Sequence, residues 1–385
     1  MLAVRALPIR LSIVADIISV RSEAMEKNRV RIAFCFLVLV SLLGGVLFQL
    51  NRPREQEYSG EEFLMDTLVS ISTYGTDTTL LRQATAEAFR EMRRLADLTD
   101  RFTDGNNSGM TSDIVRINAM AGIEPVIVDR DVFRMLQLAK EYYALTDGAF
   151  DITIGPVMDL WGFGKPEQTL PAADDLWEAL SLVDSNDLIL NEKEQSAFLK
   201  RKGMSLDLGA VAKGYAVEKA AQILEEAGIE RAIINAGGNI RVIGQKAPQQ
   251  GWQVGIQDPR DPQALVGILS LQNESAVTSG DYQRYKEIAG KRYHHLLSAR
   301  TGYPVESMMS VTVVTKDSGE ADLLSTALFL MEPEQALAYL SQHKNAEAIL
   351  ITAEKQILCT PGLKEKLKLT PGEEYVDEQK VNDKG

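Results

Sequence analysis

Cysteine is scarce in this chain of 385 residues, which contains only Cys35 and Cys359. Cys35 lies inside an apolar run, so the two form no intramolecular disulfide unless that run joins the folded part. The fold has to stand without covalent staples, which a chain this long can do. Positive charge is also in short supply. Lys and Arg number 41 against 54 acidic residues, a net of −13. A surface that acidic repels phosphate backbones, which sets nucleic acid aside as a partner. An anionic nucleotide stays admissible if a metal ion or helix N-termini neutralise it. Internal repeats are missing, and so is any regular βαβ rhythm. Histidine is nearly as rare as cysteine, with three in the chain, and two of them are adjacent in RYHHLLSARTGYP, Arg292 to Pro304. Most histidines in globular domains only pack or face water, so the rest of the sequence has to decide whether this pair differs.

What is present is ordinary globular material, 45% hydrophobic and 25% charged, enough for one large domain or two smaller ones. The longest apolar run, IAFCFLVLVSLLGGVLFQL, extends from Ile32 to Leu50 and carries no charge in nineteen residues. That is close to the ~20 residues a bilayer span requires. Lys27, Arg29 and Arg31 precede it, which favours an N-terminus held inside. A cleaved signal sequence is the alternative, but no small-x-small cleavage site follows. The run therefore reads as an uncleaved anchor, with residues 1–31 on the cytoplasmic side and the folded domain on the outer face of the cell membrane. Residues 1–24 precede Met25, whose MEKNRVR has the form of a start, so they are a candidate untranslated stretch. Residues 51–61 read as a linker, 62–370 as the folded domain, and 371–385 as a charged disordered tail.

Within the domain, residues 68–75 and 310–315 alternate as strands do, and residues 231–244 read as strand, glycine turn, strand. Leu81, Ala84, Ala88, Met92 and Leu95 recur at helical steps within a helix over 80–98. Further helices are expected over residues 131–148, closing at Gly148, over 210–228, and over 319–331, where Pro333 ends or interrupts the last. Residues 103–113 are loop material. Helices and strands mix irregularly, and the fold class is α+β.

Four stretches carry candidate chemistry, and each also has an ordinary explanation. In LDLGAVAKG, Asp207 precedes a helix start near Ala210, and Gly209 and Gly214 admit a close backbone approach. Lys213 is placed to meet an adenine edge or a phosphate; a capped helix with a solvated lysine fits as well. INAGGNIRVIG is either a plain hairpin or a close approach to phosphate. In ADLLSTALF, Asp322 and Thr326 share one helix face with Ser325 beside them. Their oxygens make a hard half-site suited to Mg²⁺ and substrate phosphates. The plain alternative is a face turned to water, but Leu323, Leu324, Leu328 and Phe329 make this helix apolar, so a buried Asp322 requires a partner. In AFDITIGPVMDLWGFG, Trp161 and Phe163 pack either beside an aromatic ligand or in the core.

Taken in order, these stretches resemble the ApbE family of FAD:protein FMN transferases. The resemblance extends from about Glu62 to Pro361 and includes MDT (65–67), WQVGIQDP (252–259), AVTSGDYQRY (276–285), the histidine stretch and SVTVVT (310–315) besides the four above. It implies an ApbE-like mixed fold forming a single compact catalytic unit. It also implies an enzyme that takes FAD as substrate with Mg²⁺, splits the pyrophosphate, attaches FMN by a phosphoester to a Thr or Ser of a target protein, and releases AMP. The implied partner is an exported acceptor flavoprotein subunit of a membrane redox complex. Carried over by motif, Met65, Phe102, Ala149, Phe150, Asp151, Asp207, Lys213 and Leu297 line the FAD site. Ala210 (through its carbonyl), Asp322, Ser325 and Thr326 lie at the metal, and His295 is the catalytic base. Ser279, Gly280 and Thr301 fall in the same motifs as neighbours. Two departures stand out: Asp66 replaces the family's usual glycine, and Ser298-Ala299-Arg300 replaces the usual Asp-Pro-x before Thr301-Gly302.

The chemistry suits this set. Attack on a pyrophosphate develops charge on phosphoryl oxygens, which a metal neutralises, and a hydroxyl nucleophile needs a base to accept its proton. Two other activities use the same residues. One is a hydrolase that splits FAD to FMN and AMP; the other is a flavin-binding protein without catalysis. Product analysis with and without an acceptor separates the three.

Overall fold

The computed structural model describes residues 25, 28–29, 31–43, 54–102, 111–165, 169–343, 345–370, 372 and 375–377. The chain divides into two units, residues 1–55 and 56–385. In the first, residues 31–43, Arg31 and the first part of the apolar run, are helical, with side chains such as Phe34, Phe36 and Leu39 exposed. Among the described residues no helix is long and apolar enough to cross a membrane. Residues 44–50 of the run and all of residues 1–24 lie outside the described residues.

The second unit is built on nine strands that pair in chain order: β1 (Gln56–Leu64), β2 (Thr67–Gly75), β3 (Arg231–Ala236), β4 (Asn239–Ile243), β5 (Ser275–Gly280), β6 (Met308–Thr315), β7 (Glu347–Thr352), β8 (Gln356–Cys359) and β9 (Val376–Asp377). Every neighbouring pair is antiparallel except β8 with β9, which is parallel. Two of these strands correct the sequence-based boundaries. The linker expected over residues 51–61 is largely β1, which pairs with β2 from Gln56↔Gly75 to Leu64↔Thr67. Its side chains are mostly exposed or half-buried. An edge strand has one neighbour and needs no apolar alternation to hold its place. Gly60 within it lies under the Phe89 ring, where a Cβ would approach Phe89 Cε2 to 2.9 Å. The tail expected to be disordered from 371 is ordered at Tyr375, which is buried and donates through Oη to Asp258 Oδ1 at 2.6 Å, and at β9. Residues 378–385 lie outside the described residues.

Four helices matter for the site: α1 (Thr78–Thr99), α2 (Arg130–Leu145), α3 (Ala212–Glu226) and α4 (Ser318–Phe329). α1 buries Leu81, Ala84, Ala88, Met92 and Leu95, the expected apolar series, behind an Asp77 cap on the Thr79 and Leu80 N–H groups. α2 ends before Gly148, whose positive φ of 77° lets its N–H close on the Tyr143 carbonyl at 2.9 Å. Pro333 follows α4 and opens a separate helix, Pro333–Gln342, because a first-turn proline lacks only an N–H that has no partner there.

α1 packs on α3, α3 on α4, and α4 on β5 and β6. The core between helices and sheet includes Leu323, Leu324 and Leu328 of α4 with Val311 and Val313 of β6. The opposite sheet face is covered by three antiparallel strands, Trp252–Gln257, Leu265–Leu271 and Leu367–Leu369, over a second cluster that includes Val254, Leu269 and Ile351. The result is the α+β class expected.

Candidate active site

A cavity of about 460 Å³ opens where the β1–β2 turn, the segments before α3 and after α2, the face of α4 and the stretch after His294 converge. Its walls include Met65, Phe150, Asp151, Asp207, Lys213 and Leu297 from the expected flavin set. Ala210, Asp322 and Thr326 from the expected metal set line it as well, together with His295. Residues more than two hundred positions apart thus share one wall, because β2 pairs with β3 and the sheet continues in order to β5 and β6.

The two histidines separate cleanly. His294 is buried, its Nε2–H donates to the Val305 carbonyl at 2.8 Å, and its Nδ1 accepts the Leu296 N–H at 3.2 Å. Its ring meets Phe329 edge to face at 5.5 Å. Both nitrogens are consumed, so His294 packs. His295 points to the other side, into the cavity. Its Nδ1–H donates to the Arg284 carbonyl at 3.2 Å, and that carbonyl also accepts the His295 backbone N–H at 3.1 Å. The tautomer this sets leaves the Nε2 lone pair on the cavity side. Burial, then the Arg284 guanidinium and the neighbouring His294, push the His295 imidazole down to about 3. It is neutral at physiological pH and competent to accept a proton.

Asp322 and Lys213 line the same cavity. Asp322 is buried, its Oδ2 accepts the Gly214 N–H at 2.7 Å, and its Oδ1 lies 3.8 Å from Lys213 Nζ. Lys213 Nζ also donates to Asn239 Oδ1 at 2.9 Å. Gly214 is where α3 and α4 touch: a Cβ there would come within 2.4 Å of both Asp322 Cβ and the Ser318 carbonyl. Thr326 lies one turn along α4, and its Oγ1 is 3.2 Å from Ser279 Oγ on β5. Ser325 is fully buried; it donates to the Asp322 carbonyl at 3.0 Å and meets Ser279 Oγ at 2.9 Å. It is therefore beside the cavity and not on its wall.

These donors fit a magnesium ion. Thr326 and Asp322 present hard oxygens on one wall, a cation (Lys213) already stands beside the carboxylate, and one carboxylate plus phosphate oxygens is a usual Mg²⁺ ligand set. Among the described residues no group of three His, Cys, Asp or Glu could hold a metal, so substrate oxygens would have to complete the shell.

Other expected residues take different places. Asp207 does not cap a helix, since α3 begins at Ala212. Its Oδ1 accepts the Gly209 N–H at 2.8 Å, and its Oδ2 accepts from Arg101 at 3.1 Å. Arg101 also donates to Asp159 at 2.9 Å, so Asp207 fixes the loop before α3. Asp151 spends its carboxylate on Thr153 and Ser185, through both the backbone N–H and the hydroxyl of each. Phe102 is exposed beneath the Arg101 guanidinium and is not on the cavity wall; Ala149 is off the wall as well, although its neighbour Phe150 lines it. Gly280 and Thr301 are also off the wall. Trp161 is buried, stacks on Phe163 at 5.6 Å, and donates to the Gly302 carbonyl at 2.7 Å, so it belongs to the core.

Sequence reasoning overlooked Thr67, Gln257, Thr278, Gln283 and Arg284 on the wall. Three of them lie inside the AVTSGDYQRY stretch, and that stretch was their only signal. Gly237 makes the close approach the glycine pair suggested, but to protein: a Cβ there would lie 2.3 Å from Thr67 Oγ1.

Comparison with known proteins gives a consistent answer. A model of the ApbE family matches residues 65–350. An FAD:protein FMN transferase of Klebsiella pneumoniae is 37% identical over 303 residues, covering 78% of this chain and 91% of that protein. One of Treponema pallidum is 31% identical over 350 residues, covering 86% and 94%. Among solved structures, the ApbE protein of Thermotoga maritima superposes with a TM-score of 0.74 at 30% identity, over 81% of this chain and all but 1% of that one, since 99% is covered. The flavin transferase ApbE of Vibrio cholerae, at 24% identity and a TM-score of 0.71, shares the fold. On the strength of the family match and these relatives, this chain belongs to the ApbE family.

Proposed function

We propose that the chain is an FAD:protein FMN transferase: it cleaves FAD and attaches FMN through a phosphoester to a Thr or Ser hydroxyl of an acceptor protein, releasing AMP. The observation that carries this reading is His295, held through Nδ1 by the Arg284 carbonyl in a cavity that Lys213, Asp322 and Thr326 also line. The acceptor oxygen forms a bond to the phosphorus on the FMN side as the bridging P–O bond to AMP breaks. His295 Nε2 takes the hydroxyl proton, and Lys213 meets charge on the phosphoryl oxygens. A divalent ion would be held by Asp322 and Thr326, with the Ala210 carbonyl near, and would neutralise the diphosphate. Ser325 acts behind them, through Ser279 and the Asp322 backbone. Met65, Phe150 and Leu297 supply apolar surface for a flavin nucleotide.

The reading extends to place and partner. The uncharged run from Ile32 to Leu50, part of it helical with apolar side chains outward, supports an anchor in the cell membrane with the catalytic unit outside. The acceptor would then be an exported flavoprotein subunit of a membrane redox complex. Recovery of the full chain in the soluble fraction of gently broken cells would reject the anchor.

Incubating the full chain with FAD, Mg²⁺ and a candidate acceptor, then weighing the acceptor, tests the activity. The expected result is an acceptor heavier by one FMN and an equal amount of AMP. AMP and free FMN with no adduct would identify the hydrolase, and bound FAD without AMP the non-catalytic protein. Asp322→Asn keeps an acceptor for the Gly214 N–H yet removes the charge, and is expected to abolish the Mg²⁺-dependent transfer; chelation is expected to do the same to the wild type.

A further inference from the structure

The turn joining β1 to β2 has two central residues, Met65 at φ 50° and Asp66 at φ 60°. Both are left-handed, as a two-residue hairpin turn demands. That conformation projects the Asp66 side chain, 78% exposed, over the cavity mouth, where its Oδ2 lies 4.0 Å from Arg284 Nη1. Arg284 is 52% exposed and lines the same mouth. Its backbone carbonyl is the atom that holds His295 twice, by the N–H and by Nδ1. A single residue thus presents a cation to the cavity entrance and fixes the base at its wall.

We propose that Arg284 is a specificity residue that recognises the phosphates of the nucleotide entering this cavity, and that Asp66 is its built-in competitor, a carboxylate that must yield the guanidinium to substrate. The inference rests on the reading that FAD enters here. Two exposed partners at the edge of ion-pair distance attract weakly, so the substrate's phosphates, multiply charged and able to take two guanidinium N–H groups at once, displace Asp66 readily. The pair therefore tunes affinity and does not bar entry. It also makes recognition selective, since a neutral flavin without phosphate gains nothing from Arg284 and does not disturb Asp66.

The test is a set of binding titrations on the full chain with FAD and with riboflavin, at low salt and at about 0.5 M NaCl, where screening reaches only a few ångströms. Arg284→Gln is expected to weaken FAD binding by about tenfold or more and leave riboflavin unchanged. Asp66→Asn retains a residue that tolerates the left-handed turn, and is expected to tighten FAD binding about two- to fivefold at low salt. That gain should vanish at high salt and should be smaller when Arg284→Gln is already present. An equal or larger gain in the Arg284→Gln background would mean that Asp66 repels the nucleotide directly, and overturns the pairing. Equal weakening of FAD and riboflavin by Arg284→Gln would mean loss of cavity shape, and overturns recognition. If the wild type binds no FAD, the site reading itself fails, an outcome distinct from these.

Discussion

A single rotation of backbone direction decides what each of two neighbouring histidines does. His294 donates and accepts within the fold, whereas His295 keeps one nitrogen for the cavity. His295→Ala is expected to lower the transfer rate ~10²–10⁴-fold with FAD binding kept. His294→Ala is expected to leave turnover of the folded enzyme within about a few-fold, but to cost stability, since the Val305 carbonyl and Leu296 N–H lose their partner at about 1–3 kcal/mol per buried group. Thermal unfolding separates the two. Both imidazoles are pushed below their ordinary value of 6.5, chiefly by burial. Below 6.5 the unfolded chain therefore binds protons that the folded one refuses. The stability these residues contribute is complete above 6.5 and declines as pH falls below it, for His295 through a window down to about 3. For the same reason kcat/KM should show no inflection near 6.5 from His295, and an inflection there that disappears in His295→Ala would show that the imidazole is not depressed in the working enzyme. At this scale the sequence was legible in part. Alternation along an extended segment says that only one histidine faces the cavity, and the motif says which one; that Asp151 is consumed by Thr153 and Ser185 required the fold, since Ser185 is distant in the chain.

Among the elements, those with a strong local period were the easiest to read. α1 and α4 lie within two residues of their expected limits, because their apolar series and caps are written in adjacent residues. β1 was not legible: its residues QEYSGEEFL carry no alternation, and only pairing with β2 makes them a strand. The unit's start at Gln56 has a consequence for truncation. A chain beginning at Gln56 is expected to unfold at the wild-type temperature, whereas one beginning at Met65 leaves the β2 edge bare and is expected to aggregate. Equal behaviour of the two in a thermal melt and in gel filtration would show that β1 is dispensable. The α3–α4 contact makes a sharper case. Gly214→Ala places a methyl within 2.4 Å of backbone and side-chain atoms of α4, so the helices must part. The expected loss is about 1–3 kcal/mol, together with reduced transfer because Asp322 moves with α4. A melting temperature unchanged by the substitution would show that the helices already have room.

In the whole molecule, the site depends on connections that no local pattern announces. Arg101 reaches Asp207 and Asp159 across loops and a short helix, and Thr67 approaches Gly237 because β2 pairs with β3. The stretches that carry the family resemblance contain nearly all of the wall, but they could not place Phe102, Ala149 or Ser325 off it, since motifs record which residues recur and not which way they face. The span of that wall, from Met65 to Leu330, sets a timetable. A chain synthesised at about 5–20 residues per second needs on the order of tens of seconds to pass from one end of the wall to the other. Until α4 has emerged, the β1–β2 turn and His295 lack the Asp322 and Thr326 that complete the wall. An interrupted chain therefore has no partial activity to misuse. Flavin chemistry begins only once nearly the entire catalytic unit is made.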